Sequence, residues 1–181
     1  MQISAAEEFT KRFTEQAGRV YFAKSVEEAA GLVNSIAKDR GRICCASFSL
    51  KGREFEPLVQ TDIKFEELEN GEALSEFAKI DVGVTLSHSA ISETGSLVEI
   101  SHSDNYKLLS SISKIHITIV ESSNILPHLS DLAPKIRSLF QEGERPNITL
   151  IGGPSRTSDI EMKSVLGVHG PHEVHAIILI E

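Results

Sequence analysis

Two loops of the 181-residue chain gather the groups that could do chemistry. In GGPSRTSDIE, Gly152 to Glu161, two glycines and a proline follow the apolar run NITLI. Ser155, Arg156 and Thr157 then arrive where a helix is predicted to begin. Free backbone N–H groups at a helix start, two hydroxyls and a guanidinium suit a phosphate or a carboxylate. The same run also has a structural reading. Ser158 and Glu161 fit the S-x-x-E capping box, and Asp159 and Glu161 already complement the helix dipole, so they compete with a bound anion. The second loop, SHSAISETGSLVEI, sets His88, Ser89, Ser92, Glu93, Thr94 and Ser96 between two apolar strands. Glu93 there is a carboxylate at a strand end, able to act as base, acid or acyl-accepting nucleophile. The alternative is a polar hairpin whose tight turn Gly95 permits.

A third pattern is H-x-x-H-x-x-H, formed by His169, His172 and His175. Gly170-Pro171 breaks any helix across it, and no H-E-x-x-H or cysteine accompanies it. Histidines satisfied by hydrogen bonds are therefore favoured over a metal site, and no metal is expected. His116, in KIHITIV, reads in the same way as a paired core or strand-end histidine. No G-x-G-x-x-G, P-loop or G-x-S-x-G is present, so dinucleotide binding, nucleotide hydrolysis and nucleophile-elbow chemistry lack their usual support.

These loops need elements to hold them. Apolar periodicity predicts a helix over about Ala5 to Ala17, then the strand-like run RVYFA. Ser25-Val-Glu-Glu28 fits a capping box and opens a helix to about Arg40, after which RICCAS reads as a buried strand. Residues 48–72 are mixed, a short helix and an edge hairpin, and Ala73 to Lys79 reads as helical. From Asp81 the order is strand DVGVTLS, the SHSAISETG loop, strand GSLVEIS, short helix DNYKLLSSI and strand KIHITIV. Asn124 to Gln141 reads as one long amphipathic helix with Pro127 in its first turn and a kink at Pro134. NITLIGG is a strand, Ser158 to about Leu166 a helix, and EVHAIILI the closing strand. Helices alternating with continuous apolar strands predict an α/β fold with an open, mostly parallel sheet covered on both faces. Ligands bind such sheets at the carboxyl edge, where Gly153 to Thr157 is expected to lie.

Composition bounds the rest. The length suits one domain over residues 1–181, and 40% hydrophobic with 24% charged residues describes a folded chain. The longest purely apolar run, AIILI, is too short to span a membrane, and the N-terminus carries Glu7 and Glu8 without the apolar core of a secretory signal. A cytoplasmic protein is expected. Twenty-six acidic against 18 basic residues give a formal charge of −8, which disfavours nucleic acid as a partner. Cys44 and Cys45 are the only cysteines and are adjacent, so neighbouring strand positions send them to opposite faces. They cannot form a disulfide framework or ligate an iron–sulfur cluster alone.

Three blocks, GVTLSHSAISETGSLV, KIHITIV and GGPSRTSDIEMKSVLGVHGPHEVHAIILIE, resemble the LUD-domain family, in its lactate utilisation protein C (YkgG-like) group. The C-terminal block is the specific part: G-P-S-R-T-x-D-I-E, then L-G-V-H-G-P and x-H-x-I-L. A-I-x-E-T-G-[ST]-L is a second match, and the best-supported region is about 81–181. The family's shared polar positions fall on Glu93, Thr94, Gly95 and Ser96, on Gly153, Pro154, Ser155, Arg156, Thr157, Asp159 and Glu161, and on His169 and His175. His172 sits at a variable position. After G-V-T this chain has Leu86-Ser87-His88-Ser89 where the family commonly has glycine and small or acidic residues.

The resemblance implies a fold like that of the sugar-phosphate isomerases and class I coenzyme A transferases, with an open parallel-rich sheet. It also implies a role in oxidising L-lactate to pyruvate beside iron–sulfur partner proteins, this chain holding no cofactor itself. Thr94, Gly95, Ser96, Gly153, Ser155, Arg156, Thr157 and His169 are then the ligand-binding residues for a small carboxylate or phosphate. Two alternatives stay open. Ser92-Glu93-Thr94-Gly95 resembles the S-E-x-G loop of class I coenzyme A transferases, where the glutamate is acylated, and this would make Glu93 catalytic. The same fold also serves as a sugar-phosphate or small-anion binding module.

Overall fold

Ser4 opens the first helix. Its hydroxyl accepts the Glu7 N–H at 3.2 Å while the Glu7 carboxylate accepts the Ser4 N–H at 2.9 Å, a reciprocal box that satisfies two orphaned donors. The computed structural model describes residues 4–57, 61, 63–65, 77–141, 143, 145–158, 164–166 and 170–180. Its helices are α1 Ala5–Glu15, α2 Val26–Ala37, α3 Asp104–Ile112 and α4 Ala133–Gln141. Its strands are β1 Arg19–Ala23, β2 Ile43–Cys45, β3 Ser49–Leu50, β4 Arg53–Glu54, β5 Ile63–Lys64, β6 Val82–Leu86 and β7 Ser89–Ile91, followed by β8 Ser96–Ser101, β9 Ile115–Glu121, β10 Ile125–Leu126, β11 Asn147–Ile151, β12 Arg156–Ser158, β13 Ser164–Leu166 and β14 Glu173–Leu179.

The main sheet runs β1-β14-β9-β6-β2-β5 with every neighbouring pair parallel. Its central strands β14, β9 and β6 are buried along almost their whole length because both faces are covered. Val82, Val84, Ile117 and Ile119 pack against Ala29, Val33 and Ile36 of α2 on one face. On the other, Val120, Val174, Ala176 and Ile178 meet Phe9 and Phe13 of α1, both fully buried. Cys44 joins the cluster of Phe65, Phe77 and Leu109, while Cys45 packs with the α2 side, so the adjacent thiols do point to opposite faces.

A second sheet, β10-β7-β8-β11, lies over the α1 face. Ala90 and Leu97 point inward to Phe9 and Phe13, and Ile91 and Val98 point outward to Leu132 and Ile136. Here the structure departs from the sequence expectation. The SHSAISETG loop contains β7, whose three residues are all buried. The long helix expected over Asn124 to Gln141 is instead β10, a 3-10 turn at Leu129–Leu132, and α4. Two prolines explain the break: Pro127 follows the edge strand β10, where no N–H is needed, and Pro134 takes the first turn of α4.

Two further corrections concern the GGPSRTSDIE run. Its preceding strand, β11, pairs antiparallel with β8 at the margin of the small sheet, from Asn147↔Ser101 to Ile151↔Leu97. NITLI is therefore not a central parallel strand, as its half-exposed positions reflect. The following loop consequently misses the carboxyl edge: Ser155 N–H donates to Pro171 O at 2.9 Å, beside the start of β14. The described ends of the helix expected over Ser158 to Leu166 are strand instead, Ser158 closing β12 and Ser164–Leu166 forming β13. Arg156↔Leu166, Thr157↔Val165 and Ser158↔Ser164 form an antiparallel ladder, so the backbone of Ser158 is paired across strands rather than capping a helix. Asp159, Glu161 and His169 lie outside the described residues, as does most of Ala73 to Lys79. No helix of the described residues is long and apolar enough to cross a membrane.

Candidate functional site

Strand order locates the site. From β2 the chain moves outward to β5, whereas from β6 it moves inward, toward β9. The β2/β6 boundary is thus the switch point, and in open parallel sheets ligands bind just beyond it at the carboxyl ends. A cavity of about 480 Å³ opens there. Ser47 and Phe48 follow β2, Phe65 follows β5, Leu86 and His88 end and follow β6, and Ile100 to Ser103 with Tyr106 bring in the end of β8 and the start of α3.

The walls are mixed in chemistry. Phe48, Phe65, Leu86 and Ile100 are apolar, with Phe65 edge-on to Tyr106 at 6.2 Å between ring centres. The Tyr106 hydroxyl is fixed by both backbone groups of Leu86, donating to its carbonyl at 2.8 Å and accepting its N–H at 2.5 Å. Burial, and then the Glu99 carboxylate, hold this phenol well above its ordinary pKa. Burial pulls His88 down to about 4, with the Lys135 charge acting in the same direction, and its Nδ1 lies 2.8 Å from the Ser89 hydroxyl. Burial also lowers Lys135. At neutral pH the cavity thus has a neutral imidazole, a partly desolvated ammonium nearby, and the hydroxyls of Ser47, Ser101 and Ser103 at its wall. Such a set can hold a carboxylate without burying an unpaired charge.

Behind Tyr106 lies a buried polar cluster. The Thr85 hydroxyl donates to Glu99 Oε1 at 2.5 Å and lies 2.8 Å from His116 Nε2, which is 3.3 Å from the same Glu99 oxygen. Glu99 is 2% exposed, and Thr85 and His116 are fully buried. His116 is the paired core histidine its run implied. Glu99 was not anticipated, although a lone carboxylate on the inward face of SLVEIS is a readable signal. Tyr106 carried no such mark, because a tyrosine in a short amphipathic helix looks like packing.

Of the residues chosen from sequence, Thr94, Gly95 and Gly153 are brought together elsewhere, around Gln16 at the end of α1. Gln16 Nε2 donates to Thr94 O at 2.9 Å and Gly95 O at 3.2 Å, and Ser92 Oγ donates to Ala5 O at 2.7 Å. Gly95 has φ +60°, and a Cβ there would stand 2.5 Å from Arg12 Cβ and 2.7 Å from Phe13 N. A Cβ on Gly153, at φ +131°, would stand 2.7 Å from the Gln16 carbonyl oxygen. Gln16, Gly152, Gly153 and Pro154 line a cleft of about 260 Å³. Ser96 opens β8 opposite Ile91. Glu93 is exposed at the hairpin turn, where its Oε2 accepts the Leu129 N–H at 3.0 Å and lies 3.8 Å from His128 Nδ1. Arg156 and Thr157 lie on β12. Of the histidine run, His172 is exposed, its N–H donating to Lys114 O. His175 is buried, with Nδ1 3.2 Å from the Tyr21 hydroxyl and Nε2 3.0 Å from Glu173.

The chain is similar to known proteins in sequence and in fold. The protein of Escherichia coli (strain K12) named Uncharacterized protein YkgG is 39% identical over 111 residues, 60% of this chain and 47% of that protein. Lactate utilization protein C of Exiguobacterium sp. (strain ATCC BAA-1283 / AT1b) is 32% identical over 111 residues, 60% of this chain and 48% of that protein. The protein of that name from Shouchella clausii (strain KSM-K16) is 35% identical over 100 residues, 55% of this chain and 44% of its own. The chain spans about half the length of the curated relatives it matches. The crystal structure of a DUF162 family protein from Deinococcus radiodurans has a similar fold, with a TM-score of 0.71 at 20% identity, covering 98% of this chain and 99% of that one. The LUD domain family model matches residues 6–179, and on that match this chain belongs to the LUD-domain family.

Proposed function

We propose that this chain is the LUD-domain component of a cytoplasmic lactate-using system and that it holds a small 2-hydroxy or 2-oxo carboxylate in the cavity beyond β2 and β6. The observation that carries the reading is the coincidence of a mixed polar and apolar cavity with the sheet's switch point, in a chain similar to several proteins named Lactate utilization protein C. The serine hydroxyls and His88 suit carboxylate oxygens, and Phe48 and Leu86 suit the carbon chain. In this reading the electrons leave the substrate through iron–sulfur clusters of partner proteins, and Cys44 and Cys45 alone do not furnish the four thiolates of a cluster. The Glu93–Ser96 turn and the Gly153–Ser155 segment, joined at Gln16, then form a partner-facing or anion-contacting surface.

Titration with L-lactate and pyruvate, with inorganic phosphate for comparison, tests the site, and co-purification with visible spectroscopy tests the assembly. Carboxylate binding lost in His88→Ala and an iron-containing co-purifying protein are expected. Phosphate binding alone, with no iron-containing partner, would contradict both halves of the reading. The acyl-transfer alternative rests on the exposed carboxylate of Glu93. A hydroxylamine-labile adduct at Glu93 after incubation with acyl thioesters would favour it.

A further inference from the structure

In a parallel sheet, alternate residues of a strand offer both their N–H and their carbonyl to the same neighbour. Along β6 the residues turned toward β2 are Val82, whose N–H donates to Arg42 O at 3.0 Å, and Val84, whose carbonyl accepts the Ala46 N–H at 2.9 Å. Leu86 is the next of this series, and by then β2 has ended. The ladder closes at Cys45↔Val84, and the chain beyond enters the β3–β4 hairpin, where the Phe48 carbonyl accepts the Phe55 N–H at 2.9 Å. The N–H and carbonyl of half-buried Leu86 thus need a partner other than a strand. The Tyr106 hydroxyl of α3 takes both, accepting the N–H at 2.5 Å and donating to the carbonyl at 2.8 Å. On the other side of β6 the Ser87 N–H donates to Ile119 O at 2.8 Å, which keeps the end of the strand in register with β9.

We propose, resting on the reading of the cavity as a ligand site, that Tyr106 is the positioning residue of that site: its hydroxyl replaces β2 beside Leu86, keeps the crevice between β2 and β6 open, and fixes Leu86 and His88 at the cavity wall. Two other arrangements of Leu86 would spoil the site. Were it paired with β2, the strands would stay at ladder spacing, roughly 4.8 Å, and the crevice at their ends would be closed. Were it unpaired, its backbone groups would compete with His88 and the serine hydroxyls for the ligand, and the chain leading to His88 would be free to swing. A phenol avoids both, because one oxygen donates and accepts at once. The ring is held in turn, edge-on to Phe65 and packed against the cluster of Phe77 and Leu109, so the hydroxyl has a fixed place. Tyr106 acts through the Leu86 backbone, and no covalent bond is made or broken.

Amide hydrogen exchange and pyruvate titration of the parent chain, Tyr106→Phe and Leu109→Val test this. Tyr106→Phe keeps the ring and removes the hydroxyl, whereas Leu109→Val thins the same cluster and leaves the Leu86 bonds in place. In the parent without pyruvate the Leu86 amide should be protected like that of Val84, although β2 has ended, and pyruvate should not change this. In Tyr106→Phe that amide should exchange about tenfold faster and pyruvate should bind about tenfold more weakly, as the loss of two hydrogen bonds implies. Leu109→Val should melt at a lower temperature and keep both properties. A Leu86 amide that exchanges freely in the parent, or is protected only with pyruvate present, overturns the assignment. Binding that is unchanged or tighter in Tyr106→Phe, or equally weakened in Leu109→Val, overturns it too. So does a Tyr106→Phe chain that does not fold, since the hydroxyl would then serve folding alone. A parent that binds no pyruvate, with Leu86 protection lost only in Tyr106→Phe, overturns the ligand reading instead.

Discussion

Gly95→Ala should destabilise this protein by about 3 kcal/mol, and the reason is the docking of α1. Gly95 sits at φ +60°, the left-handed region, where a side chain costs about 1–2 kcal/mol. Its Cβ would also meet Arg12 Cβ at 2.5 Å and two backbone atoms, Arg12 C and Phe13 N, both at 2.7 Å. Backbone cannot swing aside as the tip of a flexible side chain can. Either α1 lifts, loosening the fully buried Phe9 and Phe13, or the β7–β8 turn distorts, and overpacking of this kind costs about 1–3 kcal/mol. Urea unfolding of parent and variant measures the difference directly, and in a chain of this length the melting temperature should fall by roughly 6–12 °C. A loss below about 1 kcal/mol would refute the argument that this glycine is required by helix packing rather than by a ligand.

Three further outcomes follow from the same structure. Glu99→Leu leaves His116 facing an apolar neighbour and should cost about 3–5 kcal/mol, whereas replacing Thr85, Glu99 and His116 together by Val, Leu and Leu should cost distinctly less; equal losses in denaturant unfolding would contradict a buried cluster whose members depend on one another. His88 should titrate near pH 4 by NMR and move up only modestly in Lys135→Ala, because burial is the larger cause; a midpoint near 6.5 would show the ring to be solvated. Burial opposes the Glu173 carboxylate, but hydrogen bonds from His175 and Arg40 and the charges of Arg19 and Arg40 outweigh it and hold its pKa below the ordinary value; burial likewise lowers His175. Depressed folded values mean that the unfolded state binds more protons, so stability should fall as pH drops below the ordinary imidazole range and further through the carboxylate range, less steeply in Glu173→Gln.

Much of this architecture could be read from residues alone, and the failures have physical causes. KIHITIV, DVGVTLS and EVHAIILI are continuous apolar runs because they are buried on both faces, and the structure uses all three in the parallel sheet. NITLI looks the same in sequence but is a half-exposed strand at the margin of the small sheet, and periodicity cannot say which sheet a short apolar run will join. That one ambiguity moved the expected position of the Gly153–Thr157 loop from the carboxyl edge to the start of β14. Ser158-x-x-Glu161 suggested a helix by a four-residue signal, yet Ser158 lies in the antiparallel ladder of β12 with β13. The clustering of Thr94, Gly95, Gly152 and Gly153 around Gln16 could not be foreseen, since it depends on the helix end reaching both loops. The cavity arises from five separated segments, which is why Tyr106 and the Glu99 cluster were overlooked while the more conspicuous loops were not.

The central claim is that a small carboxylate enters the cavity at the β2/β6 switch point. Backbone NMR of the protein titrated with pyruvate tests it most directly. The account predicts saturable shifts at Ser47, His88, Ser101, Ser103 and Tyr106, with Gly152 to Ser155 unmoved. Shifts confined to Gly152 to Ser155, or none at any of these positions, would contradict it.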